Sequence, residues 1–422
     1  MIYALILFAI TYVLMLTFSK YRPYIALGSA LVFILTGMLP LDQIFTAIDW
    51  NVLLMIAGTM GLVQLFIDSH MPARLADMIM TKVPNVQMAA VALALFAGII
   101  SAFVDNVATV LMVAPVALAI CKKLKTNPVP FIIGIAVSSN LQGAATLVGD
   151  TTAIMLGSYA DMSFLDFFWY KGRPGIFFAV ELGAIASALI LAWLFRREKD
   201  SIEQRGELTP VTDYVPTVLL VGMIALLISA SFIPVKPDIT NGLICVSLFI
   251  IGMVYTFART RSADAFLGPI KSIDFETIGL LFGLFLVIGG ITNMGVVDAA
   301  AGLLARMGGG NVFVIYTVIV WASVLFSAFI DNIPYVATML PVVTGLASTL
   351  GIDPTLLYFG LLSGATLGGK CTPIGASANI TGIGILRREG YEVKTGDFCR
   401  IGIPFTLAAV IPAYIYFWLL YA

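Results

Sequence analysis

Residues 101–115 read SAFVDNVATVLMVAP. Asp105 and Asn106 stand in the middle of an apolar stretch running from 87 to 121, and SAFIDNIPYVATMLP at 327–341 repeats the arrangement. A charged side chain at bilayer depth costs about 2.5–3.5 kcal/mol on insertion scales, so two copies of such a centre call for a compensating arrangement. The chain around them is apolar throughout. Of its 422 residues 60% are hydrophobic and only 11% charged, with mean hydropathy +1.01, against about 25% charged in a soluble domain. This composition describes a membrane protein made almost wholly of spans, embedded in a lipid bilayer and not built to hold nucleic acid. Net charge of −1 identifies no partner.

The N-terminal MIYALILFAITYVLMLTF has neither a basic leader nor a small-residue cleavage site and reads as a retained first span. Cys121, Cys245, Cys371 and Cys399 lack the paired spacing of a disulfide framework or a zinc site. His70, the one histidine, falls in a polar connection. The longest polar run, RREKDSIEQRGELTPVTD at 196–213, divides the chain nearly in half and reads as a cytoplasmic linker.

Runs long enough to cross roughly 30 Å of hydrocarbon fall near 2–18, 24–40, 50–67, 175–195, 214–233, 239–257, 275–293 and 401–421. Residues 87–121 and 311–350 form pairs of apolar arms around the two Asp-Asn centres. Segments 129–160 and 355–386 are too long for one straight span and too short for two, since 32 helical residues reach about 48 Å. Each is interrupted, by GAATLVGDTT and by GGKCTPIGASA, and predicts a discontinuous helix. Placing the loop of Lys20 and Arg22 inside puts 18 of 23 Lys and Arg inside and 4 outside (Lys171, Arg173, Lys236, Arg306), with Lys370 within the membrane. The connections 65–80 and 295–307 are amphipathic and read as surface-lying arms.

The halves are related. Residues 101–120 and 327–346 agree at 8 of 20 positions with an offset of 226, which also carries Thr146 to Thr372 and Gly149 to Gly375. The expected units are a first repeat, 1–195, and a second, 214–422, joined by the linker. Each holds five crossings and a pair of arms, and because five is odd the second copy enters the membrane upside down. Inverted repeats with interrupted helices are the signature of a secondary transporter with its site at the midplane.

Asp105, Asp150, Asp331 and Lys370 lie at that depth. The two hairpin aspartates stand in N-cap position, where a carboxylate accepts backbone N–H groups. They also suit a proton or Na⁺ site. Lys370, whose repeat mate is Ala144, reads as a counter-ion for an anionic substrate, a built-in cation, or the partner of Asp150 or Asp331 in a salt bridge. GATLGGKC at 364–371 is one residue short of the P-loop pattern, has Cys for the metal-binding hydroxyl and a Pro at 373, so ATP binding is not expected. An intramembrane aspartyl protease would need GxGD where residues 147–150 read LVGD, so no enzyme is expected.

The duplicated DN…AT…P centres, TLVGDTTAIM and LGGKCTPIGASANITGIGILRREGY resemble the ion transporter superfamily. The nearest likeness is to ArsB/NhaD-type permeases, which include the melanosomal P-protein, with citrate permeases and divalent-anion/sodium symporters as further kin. The resemblance implies an all-α polytopic homodimer in the cell membrane whose arm pairs are re-entrant helical hairpins, without a cofactor. It implies hairpin-tip ligands at Asp105, Asn106, Thr109, Asp331 and Asn332, and ligands on the interrupted segments at Asn140, Thr146, Gly149, Asp150, Thr151, Thr372, Ser377 and Asn379. Sodium at Asp105, Asn106, Asp331 and Asn332 is one expectation for the coupling ion and H⁺ the other. Where the symporters carry Ser-Asn-Thr at the tips this chain carries Asp-Asn, which favours a protonatable site. NhaD-like members have Asn in place of Lys370 and Pro-Pro in place of Thr151-Thr152. The expectation is thus ion-coupled transport of a small arsenite-like oxyanion or carboxylate, with Na⁺/H⁺ antiport of NhaD type as the alternative.

Overall fold

The computed structural model describes residues 1–124, 126–196 and 208–422. Lys125 and residues 197–207, which the basic-cluster and linker readings include, lie outside the described residues. The architecture is helical, with one short antiparallel ribbon (Trp169–Tyr170 with Arg173–Pro174) turning through Lys171 and Gly172.

Among the described residues six helices are long and apolar enough to cross a membrane: Trp50–Asp68, Ile176–Leu194, Thr240–Thr260, Phe275–Asn293, Asn332–Leu350 and Thr395–Tyr421. Local sequence sets where many begin. Asp49 accepts the amide of Val52 at 3.0 Å and Asp274 that of Thr277 at 3.0 Å, capping Trp50–Asp68 and Phe275–Asn293. Asn85 and Asn311 cap the first arms of the two hairpins, Val86–Ser101 and Val312–Ser327, in the same manner. The caps thus recur in both halves.

Both long segments break where Gly, Thr and Ser gather. Residues 129–160 fold as Val129–Gln142, a 3₁₀ turn Gly143–Ala145, and then Thr151–Tyr159. Residues 355–386 fold as Thr355–Gly368 and Ser377–Arg388, with non-helical backbone between.

Other boundaries differ from the hydropathy reading. The run 24–40 supports only Arg22–Leu35, because Gly37 turns into the left-handed region (φ 73°) and its amide closes on Ile34, ahead of Pro40. Ile2–Thr17 and the chain through Leu35 meet at a bend of 117°. Val296–Met307, the second amphipathic connection, is bent by the same angle against Val312–Ser327 across Gly308–Gly310, of which Gly309 and Gly310 have positive φ. The first connection forms Met71–Met80, and Asp77 there accepts the amide and hydroxyl of Thr209 from the end of the linker at 2.9 and 2.6 Å.

Packing relies on small residues, as expected where lipid tails give no hydrophobic drive for helices to associate. Along Thr355–Gly368 the stretch GLLSGATLG sets Gly360, Gly364 and Gly368 against Val312–Ser327. A Cβ on Gly364 would come within 2.5 Å of the Val320 carbonyl oxygen. Trp50–Asp68 receives Thr240–Thr260 at Gly58 and Gly242, and Phe275–Asn293 receives Arg22–Leu35 at Gly283. The halves therefore exchange partners, an early helix of each lying on a later helix of the other.

Two glycine substitutions should act with opposite sign. Gly364→Ala forces backbone apart and should cost about 1–3 kcal/mol. Gly302→Ala, on a helix face with nothing within 4 Å, should stabilise by about 0.5–1 kcal/mol. Thermal unfolding in detergent, followed by tryptophan fluorescence, gives both values, and equal shifts would refute the packing assignment.

Candidate substrate and ion site

The two Asp-Asn centres form the turns between hairpin arms. Asp105 Oδ2 accepts the amides of Val107 (2.9 Å) and Ala108 (3.2 Å), and Asp331 Oδ1 accepts that of Ile333 (3.2 Å). Each carboxylate thus begins a helix, Asn106–Leu124 or Asn332–Leu350.

The breaks hold the turns from below. Thr146 donates its hydroxyl hydrogen bond to the Ala102 carbonyl, and Thr372 donates to that of Ala328. Gly149 lies against the carbonyls of Ser101 and Ala102, and Gly375 against those of Ser327 and Ala328, with room for no Cβ at either place. Thr146, Gly149 and Thr372 therefore clamp the hairpin turns. Asn379 Nδ2 spans the second break, donating to the carbonyls of Gly369 and Thr372 at 2.9 Å each.

Between turns and breaks lies a cavity of about 150 Å³. Asp105, Asn106, Asp150, Thr151, Asn332 and Ser377 line it, with Asp274, Ser272 and Thr277 at one side. Asn106, Thr151, Asn332 and Ser377 are the first residues of four helices: Asn106–Leu124, Thr151–Tyr159, Asn332–Leu350 and Ser377–Arg388. Four helix N-termini thus converge on one small volume. The residues preceding them are Asp105, Asp150, Asp331 and Ala376, so three of the four carry a carboxylate.

A hydrogen-bonded chain joins one hairpin tip to the other. Asn106 Nδ2 donates to Asn140 Oδ1 at 3.1 Å, and Asn140 Nδ2 donates to the Thr366 carbonyl at 3.4 Å. The hydroxyls of Thr366 and Thr152 lie 2.9 Å apart, Thr152 donates to Asp150 Oδ2 at 2.8 Å, and Asn332 Nδ2 donates to the same oxygen at 3.4 Å. Thr366 and Thr152 were not among the expected ligands. Thr366 is the repeat mate of Asn140, so the offset of 226 points to it. Thr109 sits behind the wall, bonded weakly to the Val104 carbonyl at 3.4 Å.

Asp331 finds a cation that hydropathy had assigned to a loop. Arg22 Nη1 lies 3.2 Å from Asp331 Oδ2, with side-chain exposures of 18% and 11%, and Ser377 Oγ donates to the same oxygen at 3.2 Å. Tyr12, from the first helix, donates to the Pro334 carbonyl at 2.6 Å.

Lys370 departs from every salt bridge proposed for it. It is fully buried, and among the described residues its Nζ has no hydrogen-bond or ion-pair partner. Its Nζ stands over the Phe405 ring, 5.8 Å from the centroid. The Lys370 and Cys371 carbonyls pack on Gly402 of Thr395–Tyr421, the helix that also carries Phe405, and Lys370 is not among the residues lining the cavity, although its charge acts on Asp150.

A second cavity, about 1390 Å³, lies at the other end of the same helices. Asn51 and Val52 of Trp50–Asp68 line it, whereas Met60, Gln64 and Ile67 line the small one. Phe275–Asn293 runs the other way, with Thr277 at the small cavity and Ile288 to Asn293 at the large one. Leu147, Ala337 and Leu340 face the large cavity, within a turn or two of Asp150 and Asn332.

The citrate transporter family (CitMHS) matches the chain over residues 5–361 and again over 242–422. The uncharacterized transporter Rv2685 of Mycobacterium tuberculosis is 29% identical over 442 residues, spanning 100% of this chain and 99% of its own. Human P protein is 28% identical over 387 residues, spanning 74% of this chain and 46% of its own length. In fold, the crystal structure of the YdaH transporter of Alcanivorax borkumensis is similar at TM-score 0.61 and 14% identity, over 89% of this chain and 87% of that one. The superfamily expected from the motifs is the one found, with the citrate branch matched directly. The chain belongs to the citrate transporter family of the ion transporter superfamily, and is a multi-pass integral membrane protein, of the plasma membrane as its bacterial relatives imply.

Proposed function

We propose that this chain carries a small carboxylate or oxyanion across the membrane together with a proton or Na⁺, the cation held at Asp105 and Asp150. One observation carries the reading: four helix N-termini and these two carboxylates share a single cavity. Each N-terminus carries roughly half a positive charge, about two in sum. Asp105, Asp150 and Asp331 oppose them and Arg22 offsets one, leaving the cavity near neutral, with Asp274 adding negative charge at the rim. A bare anion gains little there. A cation arriving at Asp105 or Asp150 frees the N-termini to hold an anion through the amides of Asn106 and Asn332 and the hydroxyl of Thr151. Anion and cation binding then favour one another.

The halves are read as inverted repeats, each with a re-entrant hairpin, and the likeness of the breaks, clamps and caps supports this. Alternating access follows from this reading, with the two cavities as its inner and outer approaches and the larger one on the face poor in Lys and Arg. We further infer a homodimer, as the superfamily resemblance implies. The alternative, Na⁺/H⁺ exchange of NhaD type, draws on the absence of basic side chains among the described residues lining the small cavity.

Proteoliposomes test the choice. Labelled citrate should accumulate under an inward proton or Na⁺ gradient, and Asp105→Asn or Asp150→Asn should lower accumulation at least tenfold, since a unit charge at about 4 Å is worth about 4 kcal/mol at an effective dielectric near 20. Sodium efflux driven by a proton gradient with no anion present would favour exchange.

The bridge between tips is testable separately. Thr366→Val and Thr152→Val each remove one hydroxyl, and their double-mutant cycle should give a coupling of about 1 kcal/mol in thermal unfolding. Strict additivity would remove the link from Asn140 to Asp150.

A further inference from the structure

We propose that Arg22 is a tethered cation, performing at Asp331 the task that a mobile coupling cation performs at Asp105. The chain would then move each anion with one cation fewer than its duplicated carboxylates allow. This rests on the cation-coupled reading above and names the source of its stoichiometry.

The two Asp-Asn centres are alike in sequence and each begins a helix, yet their surroundings differ. Asp105 lines the small cavity and has no ion-pair partner among the described residues. Asp331 is closed off by Arg22 and Ser377 on one carboxylate oxygen and by the Ile333 amide on the other. The carboxylates facing the pair of centres are Asp150, between them, and Asp274, at the rim beside Asp105. Gly58 packs on Cys245 as Gly283 packs on Ala26, which sets Asn241 in the place of Arg22, so Asp105 has no equivalent guanidinium.

Arg22 is anchored as a fixture. It opens Arg22–Leu35 at the 117° bend, and its Nε donates to the Met15 carbonyl at 3.3 Å. A guanidinium keeps its charge at any pH a cell reaches and cannot leave the protein. An ion so placed neutralises Asp331 permanently and repels Na⁺ from it. Asp331 therefore stays ionised and occupied through a transport cycle, while Asp105 is left to load and unload.

Cation uptake by purified protein decides the matter. Radioactive sodium binding at fixed pH and proton uptake in sodium-free buffer, each counted per chain, are compared among variants. Arg22→Gln should take up one more equivalent than wild type, Arg22→Lys should match wild type, and Arg22→Gln with Asp331→Asn should lose the added equivalent. A folded, monodisperse Arg22→Gln protein that takes up only the wild-type number overturns the proposal. Should Arg22→Gln fail to fold, Asp331→Asn alone decides: loss of an equivalent means that Asp331 already takes a mobile cation, which refutes the tether, and retention of the wild-type number supports it. If the double variant Asp105→Asn with Asp150→Asn takes up as many cations as wild type, the cation-coupled reading itself fails and the tether falls with it.

Discussion

The structure depends on what becomes of backbone polar groups where a helix stops inside an apolar medium. Each break frees amides and carbonyls that lipid cannot satisfy. Here the carbonyls at the ends of the first arms are met by Thr146 and Thr372 and covered by Gly149 and Gly375, while Asp105 and Asp331 accept amides at the starts of the second arms. Neither a hairpin turn nor an interrupted segment is complete without the other. Their interdependence places four helix starts around one cavity and makes that cavity sensitive to charge.

Between the turns and breaks of the two halves, several of the sequence differences bear on charge. Asp150 corresponds to Ala376, Lys370 to Ala144, and Arg22, by the packing of its helix, to the uncharged Asn241. The first half therefore contributes a carboxylate to the helix start that the second leaves bare, and the second hairpin holds an internal cation that the first lacks. Symmetric backbone with asymmetric charge is what an ion-coupled carrier needs under the proposed reading. The repeated frame supplies two comparable packings, and the unequal side chains separate the site that cycles from the one that is fixed.

Hydropathy and the offset of 226 made most of the fold legible. The long spans, both interruptions and the paired arms follow from local composition, and Asp105, Asn106, Asp150, Thr151, Asn332 and Ser377 do surround one cavity. Contacts made across the fold escaped. Arg22 looked like a loop cation because Lys20 and Tyr21 precede it in a polar connection, and only the bend of the first two helices carries it to Asp331, 309 residues away. Lys370 was assigned to the cavity by its depth, but depth does not give direction around a helix break. Helix ends fixed by glycine geometry, such as Gly37, were also hidden within apolar runs.

The two cavities extend this to electrostatics. They occupy opposite ends of the antiparallel pair Trp50–Asp68 and Phe275–Asn293, and Leu147, Ala337 and Leu340 give the large one apolar lining close in sequence to Asp150 and Asn332. An apolar wall here does more than exclude water. It holds the effective dielectric low around Asp105 and Asp150, where a single charge changes an interaction by several kcal/mol and not by tenths. Water reaching the four helix starts from both sides at once would screen their partial charges, and cation and anion would bind independently. Coupling on the proposed mechanism therefore requires that one approach stay sealed whenever the other is open, and the seal must be apolar.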